Sequence, residues 1–552
     1  MIEVFIQNTQ EKISVPQSTD ILSISKLISY KPPHPPLGAL VNNKLKEMDY
    51  KAFEPIKINY IDIRNGNGRR LYLRSLAFVL YKAVKDIYPD AILKIEHSVS
   101  KGSYCEIDGL PGKMTENVVN NIRKRMKEIV AEDLPFRREK VLTEKAIESF
   151  NNAGMEEKAL LFSTRKRIYT SIYKLNDHIN YFFGYLVPST GYLKLFDIVK
   201  YYDGLLIRMP SKKDPEKLEE VQMQFMLFRI FREHKEWIKI LDVPYIGNLN
   251  VSINKGKITE LIQISEALHE KKIASIADNI YKKRNDVQLI LIAGPSSSGK
   301  TTFSKRLSIQ LKVVGFKTLQ ISLDDFFLDR DQTPRDENGD YNFETIDAID
   351  IKLFNDCING LMSGEAVQMP RFDFTSGTKT LKPETTHLDD NAVIIVEGIH
   401  GLNPSLTQGI KEKQKYRIFV SALTQISIDA QNPIPTTDNR LLRRIVRDYQ
   451  YRGYTALETI RRWPSVKKGE EKYIFPYQKY ADVMFNSALL YEFAVLKNLA
   501  FPILSEVPEN EEENAEAIRL LKFISYFLPC KADNIPPTSI LREFLGGSSF
   551  RY

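Results

Sequence analysis

The chain has 552 residues, 43% of them hydrophobic and 27% charged, with a formal net charge of +8. That length exceeds what one core fills, so about two to four globular domains are predicted, and the composition excludes a disordered, fibrous or disulfide-framed chain. No basic-then-apolar leader opens the sequence and no uninterrupted apolar run is long enough to span a bilayer, so a cytoplasmic protein with no membrane partner is expected.

The charge is uneven. Residues 1–285 carry 46 Lys+Arg against 35 Asp+Glu, and residues 286–552 carry 32 against 35. A basic front half fits a polyanionic partner, and solvated helix faces explain it equally well. Cys105, Cys357 and Cys530 lie far apart and form no C-x-x-C pair, which predicts reduced, buried thiols. The seven histidines show no metal-ligand spacing.

In chain order, residues 1–62 read as a small α/β unit. Met1–Ile6, Ile13–Val15 and Ala39–Val41 are predicted strands, Ile21–Ser29 a helix, and Lys31-Pro-Pro-His-Pro-Pro36 a loop. From Arg69 to Ile87 apolar residues recur at helical spacing, and Pro89 ends the run. Leu37-Gly-Ala-Leu-Val-Asn-Asn43, Tyr72-Leu-Arg-Ser-Leu-Ala-Phe78, Met126-Lys-Glu-Ile-Val130, Leu134-Pro-Phe136 and Val187-Pro-Ser-Thr-Gly191 resemble the front of threonyl-tRNA synthetases. The resemblance covers roughly residues 1–200. It implies a ubiquitin-like (β-grasp) TGS domain at 1–62 and, at 63–200, an α+β domain that in the synthetases carries a metal-binding editing pocket. At the positions of the four ligands stand Arg74, Phe78, Phe182 and Leu186, none of which can bind a metal here. Two readings remain: a scaffold whose pocket is filled, or retained contact with RNA, tRNA or a small ligand. Arg123, Lys124, Arg125, Lys127, Arg137, Arg138 and Arg165-Lys-Arg167 are the cations available for phosphates. Residues 201–285, with Val221–Ile240 and Thr259–Lys283, are predicted to form a helical connector.

The most informative stretch follows. Val287–Ala293 is an apolar run, Gly294-Pro295-Ser296-Ser297-Ser298-Gly299-Lys300-Thr301 a Gly-rich turn, and Thr302–Val313 has helical spacing. Strand, turn and helix in that order form a phosphate cradle, with backbone N–H groups and a helix N-terminus facing an anion. Residues 294–302 are therefore predicted to bind a nucleoside triphosphate, with Lys300 reaching its outer phosphates and Thr301 suited to Mg²⁺.

Lys317–Leu323 is a second predicted strand, ending in Asp324, a carboxylate positioned to take a proton from an attacking hydroxyl. Ala392–Ile399 is another, and its Glu397 joins Thr301 as a metal-site candidate. Tyr416–Ala422 and Val483–Asn486 supply further strands. In Asp438–Asp448 the helical period groups Arg440, Arg444 and Arg447, with Arg443 adjacent, as candidates to neutralise a transferring phosphoryl group. Arg452-Gly453 ends that helix and offers a lid hinge.

Together with Ser322-x-Asp324-x-Phe326, Asn342-Phe-Glu344, Pro370-x-Phe372-Asp373-Phe374, Glu397-Gly-Ile399 and Lys479-Tyr-Ala-Asp-Val483, these features resemble the uridine kinase and phosphoribulokinase superfamily over about 289–486. The resemblance implies a P-loop NTPase domain at 286–500: a three-layer α/β/α kinase with a parallel sheet, using ATP and Mg²⁺. The whole is then a multidomain α/β and α+β chain, closed by a C-terminal tail at 501–552. The resemblance makes Asp324 the catalytic base and Glu344 a ribose-hydroxyl contact. It places Phe372, Asp373, Arg444, Arg447 and Arg452 at the substrate, with Lys300, Arg444 and Arg447 in the catalytic set.

There are departures. Uridine-cytidine kinases usually have a tyrosine at Phe372 and a histidine at Gly377, both reading the pyrimidine, and an aspartate at Glu344. About a dozen extra residues lie near 424–436. Three readings follow: a kinase acting on a nucleoside 5′-hydroxyl, uridine first; a kinase of the same superfamily acting on another small alcohol; and an ATP-switched, RNA-associated regulator. A homo-oligomer is compatible with each.

Overall fold

The computed structural model describes residues 1–28, 33–335, 339, 341–373 and 376–551. Ser29, Lys31, Pro32 and Phe374, which enter the readings above, lie outside the described residues.

The first unit centres on two parallel strands, Ile2–Ile6 and Ile56–Ile61. Glu11–Val15 pairs antiparallel with the first, and Gly38–Val41 followed by Lys44–Lys46 extends the sheet beyond the second. Val4, Ile6, Val15 and Ile58 point to a core shared with Ile21 and Ile24. The helix carrying these two is Ile21–Ser25, capped by the Asp20 carboxylate, which accepts from the Ser23 N–H at 2.8 Å. It is shorter than predicted.

In the second unit, helix Gly66–Ile87 begins earlier than its apolar period, because Asn65 caps it. It packs with helix Glu116–Ala131 beside an antiparallel sheet of order Asp197–Tyr201, Gly204–Arg208, Gly102–Asp108, Ile92–Val99. The hairpin 197–208 therefore straddles the expected boundary at residue 200, and the segment beyond it is not wholly helical. Leu205, Leu206 and Ile207 are all fully buried, so this strand has no polar alternation to read. Helices Phe225–Leu241, Ile246–Asn254 and Ile258–Tyr281 complete the connection.

The rear half is built on five parallel strands in the order Lys317–Ser322, Ala392–Glu397, Leu289–Ala293, Lys415–Ser421, Val483–Asn486. The middle strand shows why both faces are covered. Ile290 and Ile292 join the core containing Phe303, Leu307 and Leu311 of helix Lys300–Val313. Leu289 and Leu291 join another with Phe354, Ile358 and Leu361 of helix Ile351–Met362. Alternate residues of one strand thus feed two helical layers. A hairpin, Val367–Asp373 with Thr378–Thr386, stands apart from the sheet.

The expected tail is part of the fold. Helix Glu492–Ser505 crosses its boundary, helix Asn514–Ile524 packs on it, and helix Arg542–Leu545 lies against the arginine-bearing helix Thr436–Tyr451. One apolar core runs through residues from Leu37 to Phe544. The three cysteines are free and buried. Among the described residues no helix is long and apolar enough to cross a membrane.

Candidate functional site

The phosphate loop leaves the C-terminal end of the buried strand Leu289–Ala293. Gly294 passes so close to the neighbouring strand that a Cβ there would sit 2.0 Å from the Val420 carbonyl oxygen. Ser297 (φ 58°) and Gly299 (φ 80°) are left-handed, turning the chain into helix Lys300–Val313. The Ser297 and Ser298 hydroxyls are buried without a hydrogen-bond partner. Orphan hydroxyls beside a helix N-terminus whose own N-cap residue, Gly299, has no side chain to cap it fit an anionic ligand. Lys300 Nζ folds back to the Pro295 carbonyl at 3.3 Å.

Two carboxylates flank this lysine from adjacent strands, for Ser322 and Glu397 are register partners. Asp324 follows Ser322 in a 3₁₀ turn, and Glu397 ends its own strand. Burial pushes the Asp324 carboxyl up, against the pull of Lys300, Arg452 and Arg447. Glu397 is pushed to about 7, chiefly by burial, with Lys300 pulling it down and Asp324 and Glu543 pushing it up. Thr301 Oγ1 donates to Glu397 Oε1 at 3.2 Å. A hydroxyl and a carboxylate offer only oxygen donors, the set a Mg²⁺ ion takes together with water and phosphate. Among the described residues no group of three His, Cys, Asp or Glu forms a metal cage.

The arginine helix divides its arginines by the carboxylate each one meets. Arg440 pairs with Glu470 in a buried pair, at 2.5 and 2.7 Å, and also donates to the Ser296 carbonyl of the phosphate loop at 3.2 Å, while Arg443 pairs with Glu492 at 2.5 Å. Arg444, Arg447 and Arg452 are gathered by one buried carboxylate, Asp448. Arg447 reaches it at 2.7 Å, Arg444 at 3.2 Å and Arg452 at 3.6 Å. Arg444 also donates to Ser296 Oγ at 3.0 Å, and so meets the phosphate loop directly. Gly453, at φ 69°, ends the helix. Helix Ala456–Tyr473 then returns over the loop, where Glu470 accepts from the Ser296 N–H at 3.0 Å.

On the acceptor side, Glu344 is pushed to about 7 by burial and by Glu470, while Arg444 and Lys300 pull it down. Its Oε2 has no hydrogen-bond partner, and Gly469 lies against it so closely that a Cβ would come within 2.5 Å of Glu344 Cβ. Phe372 is only 6% exposed, with its ring against Phe327, so protein takes up most of the stacking face expected of it. Asp373 is exposed at the end of its strand, and its carbonyl accepts from the Gly377 N–H at 2.7 Å. Gly377, at φ 74°, is overlaid by Arg330, whose Nε lies 2.6 Å from where a Cβ would be. A guanidinium thus occupies the space of the side chain this position lacks. Glu470, Asp448, Arg330 and Glu543 have no motif of their own and were missed; each is defined by a partner distant in sequence.

In the front half the four positions that the synthetase resemblance aligns with metal ligands are taken by packed or hydrogen-bonded side chains. Phe78 and Phe182 are buried with ring centroids 5.3 Å apart, Leu186 is buried, and Arg74 donates to the Tyr185 carbonyl at 2.9 Å. Three of the cations singled out for phosphate contact are engaged by carboxylates: Arg123 with Asp197 at 2.7 Å, Arg125 with Asp86 at 2.8 Å and Arg138 with Glu47 at 3.6 Å. Lys124, Lys127, Arg137 and Arg167 stay partly or fully exposed.

Comparison with known proteins matches residues 289–490 to the family described as Phosphoribulokinase / Uridine kinase family. A uridine kinase of Chlamydia pneumoniae is 33% identical over 230 residues, which are 42% of this chain and 92% of that protein. The N-terminal region is similar to threonine–tRNA ligases, such as that of Desulforamulus reducens, 28% identical over 239 residues. That match spans 41% of this chain but 37% of the ligase's length. The solved structure of a possible uridine kinase from Bacillus stearothermophilus aligns with 39% of this chain and 98% of its own, at TM-score 0.27 and 19% identity.

Proposed function

The chain belongs to the phosphoribulokinase/uridine kinase family, and from that premise we propose that it is an ATP- and Mg²⁺-dependent kinase that phosphorylates a nucleoside 5′-hydroxyl, uridine being the first candidate. One observation supports the reading: Asp324 feels the charges of Lys300, Arg452 and Arg447, while Arg444, held by the same Asp448 as those two arginines, donates to the Ser296 hydroxyl of the phosphate loop at 3.0 Å. Asp324 takes the acceptor proton as the hydroxyl oxygen bonds to the γ-phosphorus. The bond from that phosphorus to the bridging oxygen breaks, and its electron pair leaves with ADP. Lys300, Arg444, Arg447 and Arg452 offset the charge on the transferring group. Thr301 and Glu397 would hold Mg²⁺, which supplies further charge neutralisation at the phosphates.

A second acceptor class, another small alcohol, is favoured by Arg330 over Gly377 and by the burial of Phe372. These replace the hydroxyl and imidazole expected to read a pyrimidine, and a site without those groups redirects the choice of acceptor. The front unit fits a β-grasp TGS fold followed by a scaffold domain whose metal chemistry is gone.

The test of the base is Asp324→Asn. Turnover should fall about 10²–10⁴-fold while ATP affinity stays within a few-fold of wild type. Undiminished turnover in this variant would remove Asp324 from the mechanism.

A further inference from the structure

The C-terminal segment ends on the phosphate loop. Glu543 Oε2 accepts from the Thr302 N–H at 3.2 Å and from Thr302 Oγ1 at 2.6 Å. Thr302 is the third residue of helix Lys300–Val313, so its N–H has no partner within the helix. These two donors, at the positive end of a helix that opens a Gly-rich loop, are among those expected to hold a phosphate oxygen. A carboxylate of the same chain holds them instead.

The segment is seated rather than loosely laid down. Ile540, Leu541 and Phe544 are fully buried. Ile540 Cγ2 lies 2.4 Å from the position of a Cβ on Gly299, so the tail rests directly on the glycine of the loop. Ser539 Oγ donates to Glu266 Oε1 at 2.5 Å, and the Arg443 guanidinium lies 5.0 Å from the centre of the Phe544 ring. Arg542 donates to the Ala532 and Ile535 carbonyls at 2.8 and 2.7 Å, closing the segment on itself. A second loop N–H, that of Ser296, is taken by Glu470. Two acidic side chains from distant parts of the chain thus satisfy donors that a triphosphate would use.

We propose that segment 535–545 is an intramolecular competitor for the nucleotide site, in which Glu543 occupies the Thr302 donors and must withdraw before a nucleotide phosphate can bind. The proposal rests on the reading of residues 294–302 as a triphosphate site. A carboxylate and a phosphate oxygen cannot share the same N–H and hydroxyl, and their like charges repel. The tail therefore lowers apparent nucleotide affinity by the fraction of molecules in which it is docked. Any partner or modification that lifts the tail would activate the enzyme.

The experiment titrates ATP with Mg²⁺, and separately adenosine, into the full-length wild type and Glu543→Gln by calorimetry. Glutamine keeps the shape and removes the charge. ATP should bind the variant about tenfold more tightly, whereas adenosine, which has no phosphate, should bind both proteins equally. In wild-type protein, saturating ATP should speed amide hydrogen exchange in 539–545 and slow it in 294–302, a readout that does not depend on the variant. Equal ATP affinity in the two proteins, or weaker binding to Glu543→Gln, would overturn the competitor while leaving the kinase reading intact. ATP binding to neither protein would overturn both.

Discussion

Asp448 holds Arg447 at 2.7 Å, Arg444 at 3.2 Å and Arg452 at 3.6 Å around one buried carboxylate. Glu470 and Glu492 pair with Arg440 and Arg443. The helical period groups 440, 444 and 447 because it reports a face of a helix, and it cannot report which neighbour supplies a counter-charge. The positions of Lys300, Thr301 and Asp324 are legible for the opposite reason: a strand end or a loop fixes them locally. Glu344 illustrates the cost of crowding. Burial and the nearby Glu470 raise its carboxyl from an ordinary 4.5 to about 7. The stability linked to this group is present in full below about pH 4.5 and is lost as pH rises through 7, since the unfolded chain ionises more readily. Glu344→Gln should therefore raise the thermal unfolding midpoint at pH 8 by about 2 °C and leave it near wild type at pH 4.5. Thermal melts at the two pH values check this; an equal shift at both would dissociate the effect from ionisation.

At the level of elements, the extra segment near 424–436 has a clear place. It lies between the strand Lys415–Ser421 and the arginine helix, and it clasps the front half. The Ile95 N–H donates to the Ala430 carbonyl at 2.8 Å, Gln431 Nε2 to the Leu93 carbonyl at 2.7 Å, and Asn432 Nδ2 to the Tyr181 carbonyl at 2.9 Å. Lys158 and Asp429, both fully buried, form an ion pair at 2.8 Å beneath it. The sequence reveals that these residues are additional, but not what they touch, because their partners lie some 250–340 positions away. Asp429→Ala removes the nearer of two carboxylates on the buried Lys158 ammonium, leaving Glu157 at 3.3 Å, and should cost about 1–3 kcal/mol of stability. Urea denaturation measures the loss, and a change below about 1 kcal/mol would mean that the lysine finds another partner. The same limit explains the misplaced boundary at residue 200. Leu205–Ile207 is a strand buried on both faces, and only its pairing with Gly102–Asp108 shows that it belongs to the second unit.

Across the whole molecule, a kinase half and a front half similar to threonine–tRNA ligases share one continuous core. Phe78 packs against Phe182, and that neither side chain can bind a metal is legible from the residue types alone, since no packing argument is needed to see that phenylalanine offers no ligand atom. The three-layer architecture was likewise legible, because buried apolar strands ending in Gly-rich or acidic turns leave few topologies open. The docking of the C-terminal segment on the phosphate loop was not: Glu543 and Thr302 are 241 positions apart and neither sequence context names the other.

The most direct test of the central claim is acceptor-dependent ADP formation. Full-length protein is incubated with ATP and Mg²⁺ against uridine, cytidine, other nucleosides and a set of non-nucleoside alcohols, and the position of the new phosphate is read by ³¹P NMR. Formation of ADP together with a 5′-phosphorylated product from at least one nucleoside is the predicted result. ADP released only with non-nucleoside alcohols would reassign the acceptor, and ATP bound without acceptor-dependent ADP from any alcohol would contradict the account.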